Sequence, residues 1–234
     1  MDIRLNYLER GAGAPLILLH GNGESLEYFR SQIDFFSARY RVIALDTRGH
    51  GGSPRGEAPF TIAQFAGDLF EFMDGMRLSG AHILGFSDGG NIALSFALKH
   101  PERVKRLILN GANLDPSGVK RSVQLPIELG YALARPFAGR SVKARRRAEL
   151  LGLMVNEPRI SPQQLEHLTM PVLVIAGERD MIRADHTRRI AEALPDARLV
   201  FIPGDHFIAA KNPDAFNAAV LHFLEEDTNG RKPE

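Results

Sequence analysis

The 234-residue sequence contains no cysteine, which excludes disulfide bonds and thiolate metal sites. It also has no apolar run near the roughly 18 residues needed to span a bilayer, so no stable membrane insertion is predicted. The first eleven residues, MDIRLNYLERG, are charged and have no apolar core. No secretory signal is therefore visible, and a cytoplasmic location is predicted.

Two kinds of chemical signature are missing as well. The sequence has no H-E-x-x-H pattern or comparable cluster that would bind a metal. It also has no G-x-x-x-x-G-K-[ST] or G-x-G-x-x-G loop that would hold nucleotide phosphates. We therefore predict neither a metal nor a cofactor.

An excess of charge of one sign is also lacking. The formal net charge is +1 at pH 7, which argues against nucleic-acid binding, because that binding depends on neutralising many phosphates. With 44% apolar and 24% charged residues, the chain is expected to fold into a globular protein with a large core. These numbers leave the oligomeric state open.

What the sequence does contain is a series of short apolar runs rich in β-branched residues. Such runs are typical of strands buried on both faces of a parallel sheet. Segments of helical spacing lie between them, which predicts an α/β fold with helices on both sides of the sheet. The segment IRLNYLE alternates apolar and polar residues and predicts an edge strand. The six runs are residues 15–20, 40–46, 81–86, 104–110, 171–177 and 197–203.

The alternation is interrupted once. Residues 113–169 have no run of strand type, and two amphipathic helical patterns cover residues 125–137 and 142–154. We therefore predict a core made of residues 1–112 and 170–227 and a helical lid made of residues 113–169. The polar end of the chain, residues 228–234, is predicted to be a flexible tail.

The stretch Gly85-Phe86-Ser87-Asp88-Gly89 matches G-x-S-x-G directly between a predicted strand and a predicted helix. A tight turn of this kind makes the central side chain project at the carboxyl edge of the sheet, which makes Ser87 a candidate nucleophile. The helix N-terminus beside it favours developing negative charge. The alternative is that Ser87 is only the N-cap of the following helix.

A nucleophilic serine needs a base and a group that orients the base. Among the eight histidines, His206 follows the last predicted strand, at the edge where active sites of open α/β sheets lie. Asp180 follows the preceding strand at the same edge. The alternative for each residue alone is a solvated histidine and a helix-capping aspartate.

The oxyanion of an acyl-transfer reaction needs backbone donors near the nucleophile. His20-Gly21-Asn22-Gly23 follows the strand PLILL and is a glycine-rich loop at the carboxyl edge. A second donor would be the N–H of Asp88, the residue after the candidate nucleophile. We expect His20 and Gly21 to shape the loop rather than to react.

With these motifs the sequence resembles the α/β-hydrolase family along nearly its whole length. The motifs that carry the resemblance are HGNG, DTRGHGGS, GFSDGG, GERD and GDHF, in family order and spacing. The resemblance implies an α/β-hydrolase fold with an eight-stranded, mostly parallel sheet and a small helical cap. It also implies a triad of Ser87, His206 and Asp180, with an oxyanion hole formed by the backbone N–H groups of Asn22 and Asp88.

The activity implied by the resemblance is that of a serine hydrolase which cleaves a carboxylic ester or related acyl bond of a small molecule. Family members with an aspartate or cysteine nucleophile are disfavoured, because the turn carries Ser87 and the chain has no cysteine. Cofactor-free acyl transfer, perhydrolysis and C–C bond hydrolysis use the same triad and stay open. A non-catalytic ligand-binding protein of the same fold also stays open.

Candidate substrate contacts surround the predicted triad. The Asp88 carboxylate either stabilises the helix dipole or binds a cationic group of the substrate, such as an amine. The basic lid is either a solvated helix face or a mouth that attracts anionic substrates or an anionic membrane surface. The other predicted contacts are Gly21, Gly23, Phe86, Leu125, Leu129 and Phe207.

Overall fold

The computed structural model describes residues 2–226, so the predicted tail of residues 228–234 lies outside the described residues. Each of the six apolar runs forms one strand, and the segment before them forms an edge strand. The ends of these strands fall within one residue of the apolar runs. The strands are β1 (Tyr7–Arg10), β2 (Pro15–Leu19), β3 (Arg41–Leu45), β4 (Ala81–Phe86), β5 (Val104–Asn110), β6 (Val172–Gly177) and β7 (Ala197–Ile202).

The strands form one sheet in the order β1-β3-β2-β4-β5-β6-β7. β1 is antiparallel to β3, and all other neighbouring pairs are parallel. Helices cover both faces of this sheet. The predicted fold class, a mostly parallel α/β sheet flanked by helices, is confirmed.

The predicted count of eight strands is wrong, because residues 2–226 form a seven-stranded sheet. The eighth strand came from the resemblance alone, since the residue patterns account for seven. The described residues before β2 form β1 and a turn at Gly11 (φ +82°) and Gly13 (φ +104°), and β1 pairs with β3.

The alternation of side chains along each strand sends neighbouring residues into two separate cores. On one face, Ile83 packs in the cluster that includes Leu69 and Phe96. On the other face, Leu84 packs in the cluster that includes Phe36 and Phe216. Both side chains are fully buried, as expected for a strand covered on both faces.

The helices follow the predicted alternation. Among residues 2–226, no helix combines the length and the hydropathy needed to cross a membrane. The α-helices are α1 (Arg30–Phe36), α2 (Ile62–Gly75), α3 (Asp88–Lys99), α4 (Arg121–Ala134), α5 (Val142–Asn156), α6 (Pro162–Leu165), α7 (Ala184–Ala193), α8 (Ile208–Lys211) and α9 (Pro213–Glu225).

The segment between β5 and β6 holds two longer helices, α4 and α5, which pack against each other. Glycine favours their close approach at one point: a Cβ at Gly152 in α5 would lie 3.2 Å from a ring carbon of Tyr131 in α4. The end of the segment packs on the body of the protein instead. Leu165 and Leu168 are buried in the main core, so the chain rejoins the body before β6 begins.

The sheet register brings the carboxyl ends of several strands to one edge. Phe86 at the end of β4 lies opposite Asn110 at the end of β5. Gly177 at the end of β6 lies opposite Ile202 at the end of β7. The loops that carry the predicted site residues therefore leave the sheet at the same edge.

Candidate active site

Ser87 sits in the tight turn between β4 and α3 with φ +53° and ψ −121°. A non-glycine residue in this region is strained by about 1–3 kcal/mol. The Ser87 N–H is anchored by a 2.8 Å hydrogen bond to the Asn110 carbonyl oxygen. The side chain makes no capping hydrogen bond to α3, so the N-cap alternative does not describe it.

The glycines of the turn are required by close backbone contacts. A Cβ at Gly85 would lie 2.2 Å from the carbonyl oxygen of Gly89. A Cβ at Gly89 would lie 2.0 Å from the carbonyl oxygen of Leu19. Since real Cβ atoms do not approach backbone oxygens this closely, the G-x-S-x-G pattern follows from packing as much as from the turn itself.

Ser87, His206 and Asp180 lie in one hydrogen-bonded row. Ser87 Oγ is 3.0 Å from His206 Nε2, and His206 Nδ1 is 2.6 Å from Asp180 Oδ1. The His206 and Asp180 side chains are 5% and 3% exposed. The structure thus brings together three residues that are up to 119 positions apart in sequence.

The row fixes the tautomer of the imidazole. An ionised Asp180 only accepts hydrogen bonds, so Nδ1 of His206 carries the proton and Nε2 accepts from the Ser87 hydroxyl. Asp180 Oδ1 also accepts the N–H of Ile182 at 2.8 Å, which holds the carboxylate in place. This arrangement suits a base that takes a proton from serine.

Gly111, which the sequence analysis missed, makes room for His206. It follows β5 directly and has φ +62°. A Cβ there would lie 2.8 Å from His206 Cε1 and 3.4 Å from Asp180 Oδ2. The available clue was a glycine directly after a strand, at the edge that carries the other site residues.

The glycine-rich loop after β2 lies against the candidate nucleophile. A Cβ at Gly21 would lie 3.2 Å from the Ser87 Cβ and 3.0 Å from ring carbons of Phe86. Within residues 2–226, the backbone N–H groups of Asn22 and Asp88 donate to no protein acceptor. They are therefore available for a substrate oxygen.

His20 shapes this loop through a defined tautomer. Its Nε2 accepts the Thr47 N–H at 3.1 Å, so its proton is on Nδ1, which donates to the Gly21 carbonyl at 2.7 Å. Burial lowers the pKa of His20, which keeps the ring neutral. His20 thus ties the loop after β2 to the loop after β3.

Three carboxyl groups surround the row. Burial raises the pKa of Asp88 to about 6; nearby Glu157 adds to the rise, and a hydrogen bond from Asn91 opposes it. Burial also raises the pKa of Glu24 to about 7, and a hydrogen bond from the Gly21 backbone opposes the rise. Burial raises the pKa of Glu157 as well. The sequence motifs single out Asp88 but neither of the two glutamates.

Two of these carboxyl groups hold an oxygen without a donor. Asp88 Oδ1 accepts from Asn91 Nδ2 at 3.2 Å, but Asp88 Oδ2 is buried and accepts no hydrogen bond from any described residue. Glu24 Oε2 is also buried and accepts no hydrogen bond from any described residue. Buried polar atoms without partners are rare in proteins and costly.

The structure shows where several predicted substrate contacts lie. Phe86 is 1% exposed and stacks on Tyr28 at 4.2 Å, behind the turn, so it offers no surface to a substrate. Leu125 and Leu129 are 43% and 58% exposed. They lie on the opposite side of α4 from half-buried Ile127, because positions two residues apart in a helix point in nearly opposite directions.

The remaining predicted contacts stay near the row. Phe207 is 39% exposed, and its ring lies 5.5 Å from the His206 ring. Gly23 is exposed at the tip of the loop with φ +76°. Beside it, a depression of about 540 Å³ is lined partly by Gly23, Glu24 and Arg146.

Three polar contacts join α5, or the residue just after it, to the rest of the protein. Asn22 Nδ2 donates to the Leu150 carbonyl at 2.8 Å. Arg55 binds Glu149 with N–O distances of 2.7 and 3.0 Å. Glu157 Oε2 accepts the Ile62 N–H at 2.6 Å. These contacts hold α5 to the loops after β2 and β3 and to the start of α2.

The motif DTRGHGGS after β3 is structural. Asp46 accepts the Leu26 N–H at 2.7 Å and the Gly52 N–H at 2.8 Å, which shapes the loop. Arg48 is fully buried and pairs with Asp68 and Asp2. Among residues 2–226, no group of three or more His, Asp or Glu side chains could hold a metal ion.

Known proteins share this architecture. Residues 14–138 match the model of a family described as the alpha/beta hydrolase fold. The chain is 32% identical to a protein of Caulobacter sp. (strain K31) named as a carbamate hydrolase, RutD, over 89% of this chain and 90% of that protein.

Two solved structures are similar over nearly the whole chain. One is a meta-cleavage product hydrolase from Pseudomonas fluorescens, with 28% identity and a TM-score of 0.78, covering 95% of this chain and 94% of that one. The other is an enol-lactonase from Burkholderia xenovorans, with 24% identity and a TM-score of 0.80, covering 96% and 97%. At that identity the second shows the fold alone.

Proposed function

The chain belongs to the α/β-hydrolase fold family, and from that premise we propose that it is a serine hydrolase acting on an ester or related acyl bond of a small molecule. The observation that carries the proposal is the row of Ser87, His206 and Asp180, with distances of 3.0 and 2.6 Å. A helix cap or a solvated histidine does not require this geometry.

In the first step, Ser87 Oγ attacks the substrate carbonyl carbon and its proton passes to His206 Nε2. Asp180 stabilises the imidazolium through Nδ1–H. The carbonyl oxygen becomes an oxyanion, which accepts from the N–H groups of Asn22 and Asp88. The positive φ of Ser87 supports this step, because it holds the hydroxyl away from α3.

In the second step, His206 donates its proton to the leaving group, and the acyl–Ser87 ester remains. A water molecule then attacks the acyl carbon while His206 takes one of its protons, and collapse of the intermediate releases the acid and regenerates Ser87. The acyl group of the same acyl-enzyme could instead pass to an alcohol or amine, so acyl transfer is the alternative outcome at this site.

The names of similar proteins support hydrolysis of a small molecule. They include carbamate hydrolase and meta-cleavage product hydrolase. We propose that α4 and α5 act as the lid that defines the substrate pocket. The contacts of Asn22 with Leu150 and of Arg55 with Glu149 support that role, because they place α5 over the oxyanion loop.

A specific observation supports a cationic group on the substrate. Asp88 Oδ2 is buried and has no donor from a described residue. An uncompensated anion beside the oxyanion donors would oppose charge development, whereas a substrate cation would offset it. We propose the Asp88 carboxylate as the binding group for that cation.

The test of the triad uses a chain-length series of p-nitrophenyl esters together with covalent labelling by a fluorophosphonate. Ser87→Ala should abolish labelling and lower kcat by a factor of at least about 10³, since the nucleophile is lost. Ser53→Ala is the matched control, because Ser53 lies outside the row and donates to the Asp46 carbonyl. The mechanism is rejected if Ser87→Ala is still labelled or keeps full activity. If the wild type is not labelled either, the protein is a non-catalytic one.

A further inference from the structure

The outer face of α4 carries a row of exposed apolar side chains. Leu125, Leu129, Leu133 and Phe137 are 43%, 58%, 74% and 44% exposed. They are spaced by four residues, which places them on one face of the helix and its continuation. We call these four residues the outer stripe; it is about 18 Å long at 1.5 Å per residue.

Exposed basic side chains border the outer stripe. They have no acidic ion-pair partner among the described residues, whereas Arg121 pairs with Glu128 and Arg145 with Glu149. The Arg140 guanidinium lies 4.4 Å from the centre of the Phe137 ring, so charge and apolar surface adjoin directly. We call this set the basic rim: Arg135, Arg140, Lys143, Arg146 and Arg147.

Two grooves between α4 and α5 combine the same two chemistries. One, of about 450 Å³, is lined in part by Leu133, Phe137 and Lys143. The other, of about 540 Å³, is lined in part by Leu150, Leu151 and Lys143. Apolar walls with ammonium and guanidinium groups at the rim suit acyl chains that carry an anionic head group.

A contiguous exposed apolar surface needs an explanation in a globular protein. We propose that the outer stripe and the basic rim dock this protein, peripherally and reversibly, on an anionic phospholipid membrane surface. The stripe enters the boundary between head groups and acyl chains, and the rim contacts the phosphates. The proposal is independent of the proposed catalytic function, because it concerns binding through the outer face of the helices.

Charge favours this occupant over a second copy of the chain. A two-fold symmetric contact would place the basic rim of one protomer against the rim of its partner. Several unpaired cations would then face one another, which is costly. An anionic lipid surface offers the complementary charge together with an apolar interior.

Docking would also place the site beside the lipid. Arg146 belongs to the basic rim and lines both the second groove and the depression that holds Glu24 and Gly23. A hydrophobic acyl substrate could therefore pass from the membrane along α5 to the loop beside Ser87 without crossing bulk water.

The test is flotation of the protein with vesicles of phosphatidylcholine alone and of phosphatidylcholine mixed with phosphatidylglycerol. The proposal requires binding to the anionic vesicles that weakens with added salt, and little binding to the neutral ones. Equal binding to both kinds of vesicle, or none to either, would overturn it.

Two double variants separate the contributions. Lys143→Gln/Arg147→Gln should weaken binding to anionic vesicles about thirty-fold, since each cation near the surface contributes on the order of 1 kcal/mol. Leu133→Ser/Phe137→Ser should abolish retention at high salt. The matched control, Lys99→Gln/Arg189→Gln, removes two exposed cations elsewhere and should bind as the wild type does.

Melting temperatures of all variants establish that they are folded. If the control double variant weakens binding as much as the rim variant does, the attraction is a property of total charge, and the proposal fails. If sedimentation velocity shows a dimer that Leu133→Ser/Phe137→Ser dissociates, the outer stripe is a contact between copies of the chain, and the proposal fails as well.

Discussion

At the scale of single residues, positive φ alone does not mark a functional position. Arg77 (φ +55°) and Ser87 (φ +53°) are the non-glycine residues with positive φ among residues 2–226. Arg77 is an exposed residue just after α2, where a left-handed residue ends a helix. Ser87 differs because His206 lies 3.0 Å from its hydroxyl. Strain becomes informative when a reactive neighbour accompanies it.

Gly111→Ala should impair catalysis without unfolding the protein. The new Cβ would lie 2.8 Å from His206 Cε1 at a residue with φ +62°, so the imidazole must shift away from Ser87. Because small displacements of catalytic groups are costly, we expect about a 10²-fold loss of kcat with a much smaller change in KM. Steady-state kinetics on a p-nitrophenyl ester measure it.

Gly67→Ala is the matched control, because nothing lies within 4 Å of a Cβ at that position in α2. It should leave kcat unchanged and stabilise the helix slightly, by up to about 1 kcal/mol. Unchanged kcat in Gly111→Ala would show that the His206 position tolerates the added methyl group.

Asp88→Asn should remove selectivity for cationic substrates and its pH dependence. With a pKa raised to about 6, Asp88 is neutral at lower pH and ionised at higher pH, while Glu157, Asn91 and His206 surround it. The ratio of kcat/KM for a betaine ester to that for its uncharged tert-butyl isostere should therefore rise from about pH 5 to about pH 7.5 in the wild type. The permanent charge of betaine excludes titration of the substrate.

In Asp88→Asn the ratio should be about tenfold lower near pH 7.5 and flat with pH, because the amide does not ionise. The ratio cancels any effect of pH on steps that both esters share. An equal loss of activity toward both substrates would show that the Asp88 carboxylate does not bind the cation. Asp88 would then contribute only its backbone N–H.

At the scale of elements, one ion pair joins the predicted lid to the body. Arg55 comes from the loop after β3 and Glu149 from α5, and their side chains are 24% and 17% exposed. Arg145 binds the same carboxylate but lies on α5 itself. Of these two ion pairs, only the one with Arg55 crosses between the two parts. Substitution of Arg55 can therefore be compared with substitution of Arg145.

Arg55→Gln should loosen α5, whereas Arg145→Gln should not. Losing a charged, partly buried hydrogen-bonded pair costs about 1.4 kcal/mol, which corresponds to a roughly tenfold larger opening equilibrium. Hydrogen exchange of the α5 amides measures this opening. Equal exchange in the two variants would mean that Arg55 does not hold the lid.

At the scale of the whole molecule, Arg48 joins distant parts of the chain. Its guanidinium donates to Asp68 in α2, to Asp2 near the start of the chain and to the Arg55 carbonyl. The Arg48 side chain is fully buried, and that of Asp68 is 2% exposed. A buried pair of this kind costs much more to break than an exposed one.

Arg48→Met should lower the free energy of unfolding by about 3–5 kcal/mol, because it leaves the Asp68 carboxylate buried without its cation. Arg10→Met is the control: its partner Asp34 is 62% exposed, and the pair should contribute about 1 kcal/mol or less. Urea denaturation followed by circular dichroism compares them. Similar losses in both variants would contradict a special role for Arg48.

Sequence patterns predicted the strands well because burial on both faces leaves a continuous apolar run. For example, residues 81–86 and 104–110 are strands β4 and β5 to the residue. The count of eight strands failed because it rested on resemblance rather than on any run of residues. The exposure of Leu125 and Leu129 could not be predicted, because an apolar side chain on a helix indicates a contact without saying on which side that contact lies.

The sequence by itself determined the fold class and the candidate residues Ser87, Asp180 and His206, because turn chemistry and strand order place them at one sheet edge. Only the tertiary structure decided which groups share the site with them. Glu24 and Gly111 lie beside His206, and Glu157 lies near Asp88, on loops and helix ends that no local pattern orients. Burial, which raises the pKa of both glutamates, is a property of the assembled fold.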